Sequence, residues 1–212
     1  FTPPTEPVTA ISGTSLLINA TASIIDASQS TSVLTLAGQA RSSTALIKYG
    51  NSSMFFDGTG DYVFINNGFP AMDADFTVEF WVNPGDVTDG QKSFYDARDG
   101  QVGSPIVWQN NAGIYFHAGA DLIVISSGLI TATWAHVALV RYSGVYKLYL
   151  NGTASGTTWA NTDAIIVKDL YIGARYTKNG NYYFGWMQDF RITKGLARYT
   201  TNFTPPAALL EG

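Results

Sequence analysis

The 212-residue sequence predicts an all-β protein, a two-sheet antiparallel β-sandwich of jelly-roll type, and three observations carry that prediction. Short segments of alternating apolar and polar residues recur at roughly 8–12-residue spacing, the rhythm of sandwich strands and their turns. Aromatic residues make up 14% of the chain and glycines number 21, the side chains that suit pleated surfaces and the residue that suits tight turns. No amphipathic helical pattern longer than about two turns is present. The length fits one large β domain, which buries enough surface to fold without staples; with no cysteines it has none.

Residues 1–10, FTPPTEPVTA, hold three prolines and no periodicity, so they read as a linker or the tail of a preceding repeat, leaving residues 11–212 as the domain. The first strand is then SLLIN (15–19), followed by SMFF (53–56) and DYVFI (61–65). FTVEFWV alternates cleanly, with Phe76, Val78, Phe80 and Val82 on one face and Thr77, Glu79 and Trp81 on the other. SFYDA (93–97), PIVWQ (105–109), GIYFHA (113–118) and DLIVI (121–125) continue the series. HVALVRYSGVYKLYLNG reads as a hairpin turning at Ser143-Gly144, with a second turn at Asn151-Gly152. DLYIGARY and YYFGWMQDFRIT are the late strands, the latter alternating Phe184, Trp186, Gln188 and Phe190 against Tyr183, Gly185, Met187 and Asp189. KGLARYT (194–200) is the best short helical candidate. A dozen or so strands and no long helix imply two stacked antiparallel sheets.

Charge and hydropathy narrow the partners. The net charge is −4 and the 12 basic residues are scattered, so the basic stripe of a nucleic-acid-binding surface is missing. No stretch approaches the roughly 18 apolar residues of a membrane span, so membrane insertion is not expected, nor does the N-terminus show a signal-peptide pattern. The lack of cysteine favours assembly in a reducing cytoplasm.

Five segments follow one another in a distinctive order: MFFDGTGDYVFI, DFTVEFWVNP, WAHVALVRYSGVYKLYLNG, LYIGARY and YFGWMQDFRITKGLARYTTNFTPP. This series resembles the laminin-G-like, concanavalin A-like jelly-roll domains of phage structural and bacterial surface proteins, over about residues 14–206. The resemblance implies the sandwich fold and a location on a virion or cell surface. It leaves activity open, because that superfamily includes lectins, adhesion domains and glycosidases. In the phage members the ARYT-x-NFTPP ending leads into another copy. FTPP occurs here both as Phe1–Pro4 and as Phe203–Pro206, as a unit of a tandem array would show.

The residues do not supply a catalytic pattern. Glycoside hydrolysis needs two carboxyl groups about 5–5.5 Å apart for retention or about 6.5–9.5 Å for inversion. Glutamates stand only at 6, 79 and 211, and the same-face neighbours of Glu79 are Thr77 and Trp81. Asp96 and Asp99, three apart in DARD, point to opposite faces when extended. His117 and His136 accompany no nucleophile elbow, and the DGTG turn at 57–60 leads into a strand rather than a phosphate-binding helix.

Family members often hold one structural Ca²⁺ through an early turn and an acid in the last strand, and the resemblance places those ligands at Asp57 and Gln188. Gln188 stands where the family carries an Asp, which removes a charge from the site. No cofactor is otherwise required. Sugar binding needs aromatic platforms with nearby amides and hydroxyls, because saccharide rings have an apolar face and a polar rim. The candidate glycan-binding residues are Trp108, Asn110 and Asn111 in WQNN, His117, Trp159 in TTWANTD, and Arg175, Tyr176 and Tyr182 in RYTKNGNYY. The expected function is a non-catalytic carbohydrate-binding or adhesion module that meets host glycan or polysaccharide, with neighbouring copies or virion and surface subunits as protein partners. The alternatives are a purely structural decoration or spacer domain of a fibre, capsid or filament and, behind it, a glycoside hydrolase.

Overall fold

The computed structural model describes residues 13–20, 23–98, 105–118 and 121–208. The assignment of residues 1–10 to a linker falls outside them. In chain order the strands are β1 (Thr14–Ala20), β2 (Ile24–Asp26), β3 (Leu34–Ala37), β4 (Arg41–Ser43), β5 (Ser53–Asp57), β6 (Tyr62–Phe69), β7 (Phe76–Pro84), β8 (Gln91–Asp96) and β9 (Ile106–Asn110). There follow β10 (Gly113–His117), β11 (Asp121–Ile125), β12 (Ala135–Tyr142), β13 (Val145–Leu150), β14 (Thr153–Ala154), β15 (Trp159–Ala160), β16 (Lys168–Ile172) and β17 (Phe184–Lys194). They form an all-β sandwich of a ten-stranded sheet, ordered β14-β13-β12-β7-β17-β1-β2 with β4, β5 and β15 attached, and a seven-stranded sheet, ordered β11-β10-β9-β8-β16-β6-β3.

Alternation decides what lies between the sheets. Phe76, Val78, Phe80 and Val82 of β7 enter one apolar core with Val137 and Leu139 of β12, Val63 and Ile65 of β6, and Leu170 and Ile172 of β16. The hairpin turns form as the sequence implies, with Ser143 (φ 49°) and Gly144 (φ 76°) both left-handed, then Asn151 (φ 50°) and Gly152 (φ 77°). Such turns match the right-handed twist of the strands they join.

Two expectations are corrected. The simple alternation in β17 breaks at Asp189, whose φ of 54° marks a bulge. Gln188 pairs with Trp81 and Arg191 with Glu79, so β17 uses one residue more than β7 over that stretch. The extra residue puts Phe190 on the core face with Met187 and turns Arg191 outward, because a one-residue shift exchanges the faces of everything beyond it. Residues 194–200 do not form a helix. After Gly195 (φ 78°) the chain runs as an irregular strap over the outer face of the ten-stranded sheet.

That strap is held by a buried polar cluster and an aromatic stack. Glu79, fully buried, accepts hydrogen bonds from Arg191 Nη2 (2.6 Å), Arg191 Nε (3.1 Å) and the Tyr199 hydroxyl (2.7 Å), with His136 Nε2 at 3.2 Å and Arg198 Nε at 3.7 Å. Phe203 stacks on Tyr199, centroids 3.6 Å apart and planes within 6°, and meets Tyr149 and His136 at 5.4 and 5.7 Å. Its N–H donates to the Gly152 carbonyl at 2.9 Å, while Asn202 Oδ1 accepts from Ala154 N. The closing FTPP is therefore part of this domain's packing.

Burial pushes the Glu79 carboxyl up, but the hydrogen bond to His136 and the charge of Arg191 outweigh it and hold the pKa at about 2, against an ordinary 4.5. A depressed carboxyl stabilises the fold fully above its unfolded pKa and loses that contribution as pH falls through its folded one. At neutral pH Glu79 thus contributes roughly 3 kcal/mol, lost progressively between about pH 4.5 and pH 2. Glu79→Gln is expected to lower stability by about 3 kcal/mol at pH 7, since Arg191 is left buried without its charge partner, and by much less near pH 2, as read from urea unfolding at both pH values. Gly152→Ala and Phe203→Ala are each expected to cost about 1–3 kcal/mol in the same assay. In the first, a Cβ on this left-handed residue would collide with the Phe203 carbonyl oxygen.

Candidate functional site

The strap covers the ten-stranded sheet and leaves the outer face of the seven-stranded sheet outside its reach. Its side chains follow from the same alternation. Val63, Ile65, Leu170 and Ile172 point into the core, so Tyr62, Phe64 and Tyr171 point out. On β10, Ile114 and Phe116 point in, leaving Tyr115 and His117 outward. Cross-strand register lines these residues into a row, Thr35–Phe64–Tyr171–Asp96–Ile106–His117, running across β3, β6, β16, β8, β9 and β10. Trp108 pairs with Tyr115 in the next row.

The aromatic rings form two clusters. Tyr171 lies 5.0 Å from Phe64 and 6.0 Å from Tyr62 between centroids, and Trp108 stacks on Tyr115 at 5.5 Å with planes within 10°. His117 meets Trp108 edge-on at 5.5 Å. Phe64, Tyr62, Tyr171, Tyr115 and His117 are partly exposed, whereas Trp108 retains only 4% exposure. Trp108 therefore supports the surface more than it offers a free face.

Asp96 in the middle of the row is wholly buried and spoken for. Its Oδ1 accepts from Arg98 N and Nε, both at 2.9 Å, and its Oδ2 from Arg98 Nη2 at 2.8 Å and Tyr176 N at 3.2 Å. The Arg98 guanidinium lies 5.7 Å from the Tyr176 ring centre. Asp96 thus anchors the 174–182 loop at the edge of the face. The loop is further pinned by Ser93 N donating to Asn181 O at 2.9 Å, and by the Tyr182 hydroxyl donating to Lys178 O at 2.5 Å.

The structure brings some of the sequence-selected residues together and separates others. Trp108, His117, Tyr176 and Tyr182 belong to this face or its bordering loop, and Arg175 opens the turn whose carbonyl accepts from Lys178 N at 3.0 Å. Asn110 ends β9 and Asn111 forms the following turn at φ 50°, a backbone role. Trp159 is elsewhere: it packs on Tyr146 at 4.8 Å and Phe116 at 5.9 Å against the core margin, and is not a loop platform. Tyr62, Phe64, Tyr171 and Lys178 were not singled out from the sequence. The outward phase of DYVFI and DLYI was the available signal, visible once Val63 and Leu170 are assigned to the core.

The Ca²⁺ pair is corrected as well. Asp57 pairs with Phe184, four residues before Gln188 on the same strand, which puts the two roughly 13 Å apart along it. Gln188 Oε1 already accepts from Lys48 N at 2.9 Å and Tyr49 N at 3.3 Å, and its Nε2 donates to Tyr49 O. The Asp57 carboxylate caps Thr59 N at 2.7 Å. These two residues cannot share a cation in this arrangement. Among the described residues no three His, Asp or Glu side chains converge as metal ligands. Glu79, the strand glutamate open to a catalytic reading, lies on the other sheet beneath the strap and is tied to Arg191.

The profile of a laminin-G-like family, described as the concanavalin A-like lectin/glucanases superfamily, matches residues 57–197. The chain belongs to that superfamily, as the sandwich already implies. Among solved structures it is similar to the type G botulinum neurotoxin receptor-binding domain (16% identity, TM-score 0.64, 92% of this chain and 49% of that one). It is also similar to the botulinum neurotoxin DC binding domain solved in complex with SialylT (15%, 0.65, 87% and 49%) and to the same domain solved with rat synaptotagmin II (16%, 0.64, 87% and 49%). The chain spans about half the length of these neighbours, and at such identities the likeness concerns the fold. A comparison with curated protein sequences gives no significant match.

Proposed function

We propose that this domain is a non-catalytic carbohydrate-binding module, displayed on a virion or cell surface, that holds host glycan on the outer face of its seven-stranded sheet. The observation that carries the reading is a pair of aromatic clusters on this face, Tyr62, Phe64 and Tyr171 on β6 and β16, and Tyr115, His117 and the supporting Trp108 on β9 and β10, with buried Asp96 and Ile106 between them. Saccharide rings stack their apolar faces on such rings, and the bordering loop supplies hydroxyl and amide groups for the polar rim. Neighbours of the same fold include a toxin binding domain solved with SialylT, which is in keeping with a binding role. The acids of this face and of the opposite sheet, Asp96 and Glu79, are both consumed by arginine, which favours binding over hydrolysis.

Tandem repetition fits this reading through avidity, because linked weak sites gain far more than one alone. A second reading, contact with protein only, is favoured by the free edge of β3, where Val33 is 84% and Leu36 45% exposed. The two separate in one experiment. On a glycan array followed by titration calorimetry, Tyr171→Ala and Tyr115→Ala are each expected to weaken saccharide binding about tenfold, roughly 1.4 kcal/mol, with Tm shifted by no more than about 2 °C and equal affinities in Ca²⁺ and in EDTA. Binding unaffected by both substitutions would remove the platform from the account. Retention of no saccharide, with self-association abolished by Leu36→Lys, would establish the protein-contact reading instead.

A further inference from the structure

We propose that the saccharide accepted by this face carries an anionic group, held by the Lys178 ammonium while its ring lies along Tyr171; the inference rests on the carbohydrate-binding reading above. Lys178 Nζ stands 5.1 Å from the centre of the Tyr171 ring, beside the cluster that Tyr171 forms with Tyr62 and Phe64. Lys178 is exposed, and among the described residues it takes part in no ion pair. The nearby carboxylates are already engaged: Asp96 by Arg98 and Tyr176 N, and Asp169, on the same strand face as Tyr171, by Asn67 N at 2.9 Å. Asp96 is neutralised by Arg98, and Asp169 keeps its negative charge but has one oxygen held by Asn67 N; the Lys178 ammonium is the cation that lies over the Tyr171 ring.

The loop is built to keep it there. Lys178 adopts φ 52° and Asn181 φ 58°, a left-handed conformation that costs a side-chain-bearing residue energy and persists only where the surroundings impose it. Here the Lys178 N–H donates to Arg175 O, its carbonyl accepts the Tyr182 hydroxyl, and Asn181 O holds Ser93 N. Thr177 Oγ1 donates to Asn179 Oδ1 at 2.6 Å, closing the tip. A cation fixed above an aromatic ring at the edge of a stacking surface matches a sugar whose ring bears a carboxylate or a sulfate. Ring and charge are then met by adjacent groups prepared before binding. The competing role for Lys178 is to cover Tyr171 by a cation–π contact alone, in which case its removal would leave selectivity unchanged.

The test uses matched saccharide pairs on the intact chain: oligogalacturonate against its carboxyl-reduced form, and sulfated galactan against its desulfated form, titrated at about 20 and about 300 mM NaCl. At least one acidic member is expected to bind about tenfold tighter than its neutral counterpart, the ratio shrinking at the higher salt. Lys178→Met is expected to bring that ratio to about one without weakening the neutral member, and Lys178→Arg to keep it. Which pair shows the preference tells carboxylate from sulfate. Equal affinity within both pairs, with Tyr171→Ala still abolishing binding, would overturn the anionic inference while leaving the platform standing. Failure of every member to bind would overturn the platform reading and this inference together. Because Lys178 is exposed, an unchanged Tm for both lysine variants serves as the folding control.

Discussion

The Glu79–Arg191 ion pair is the interaction on which the architecture turns. Arg191 faces Glu79 only because β17 spends one additional residue at Asp189. Without that bulge, Arg191 would point into the apolar core and Phe190 into the polar cluster. A buried guanidinium without its carboxylate costs several kcal/mol, so register and ion pair impose each other. The same carboxylate takes the Tyr199 hydroxyl, which commits the chain after β17 to cross the sheet rather than leave it. From Tyr199 the stack onto Phe203 and the close seat on Gly152 follow.

One consequence is a division of labour between the two outer faces. The ten-stranded sheet is covered by the strap and by the loop before β5, where Lys48 sits 4.5 Å from the Trp81 ring and the Tyr49 hydroxyl donates to Pro206 O. Beneath the strap, Ala138, Val140 and Tyr149 are buried in a second small apolar cluster outside the main core, packed against Ala154, Ala197, Tyr199 and Phe203. On the seven-stranded sheet the 174–182 loop crosses β8, and Ser93, Asp96, Ile106 and Trp108 are buried, while Tyr62, Phe64, Tyr171, Tyr115 and His117 stay partly exposed. This sheet carries aromatic side chains where solvated strands usually carry polar ones. Partly exposed aromatic area of this kind is unfavourable in water, and it is the feature on which the proposed binding role rests.

The 174–182 loop joins the two faces in a different way. It leaves β16 and returns to β17, the strand that carries Arg191, while its middle is fastened to β8 through Asp96 and Ser93. The geometry of the platform's edge is thus coupled to strands whose register the ion pair sets. For the proposed site, rigid strands and a pinned loop mean that little conformational freedom would be lost on binding, so more of the contact energy would appear as affinity.

Much of this was legible in the residues. The alternation in FTVEFWV placed Phe76 to Val82 in the core, the Ser143-Gly144 and Asn151-Gly152 turns were set by residues that tolerate left-handed backbone, and the order of five segments pointed to the superfamily. These features are local, since period and turn chemistry act within a few residues. Trp108, His117, Tyr176 and Tyr182 were selected by residue type and do share one region, but Trp159 was selected on the same ground and belongs to the core margin. What the sequence determined by itself was therefore strand identity, turn positions and fold class. Tertiary structure alone decided the bulge at Asp189, the path of residues 194–206, the 13 Å or so between Asp57 and Gln188, and the assembly of Tyr62, Phe64 and Tyr171 into one band. Each of these depends on which strand lies beside which, and that is settled by burying two sheets against each other across long stretches of chain.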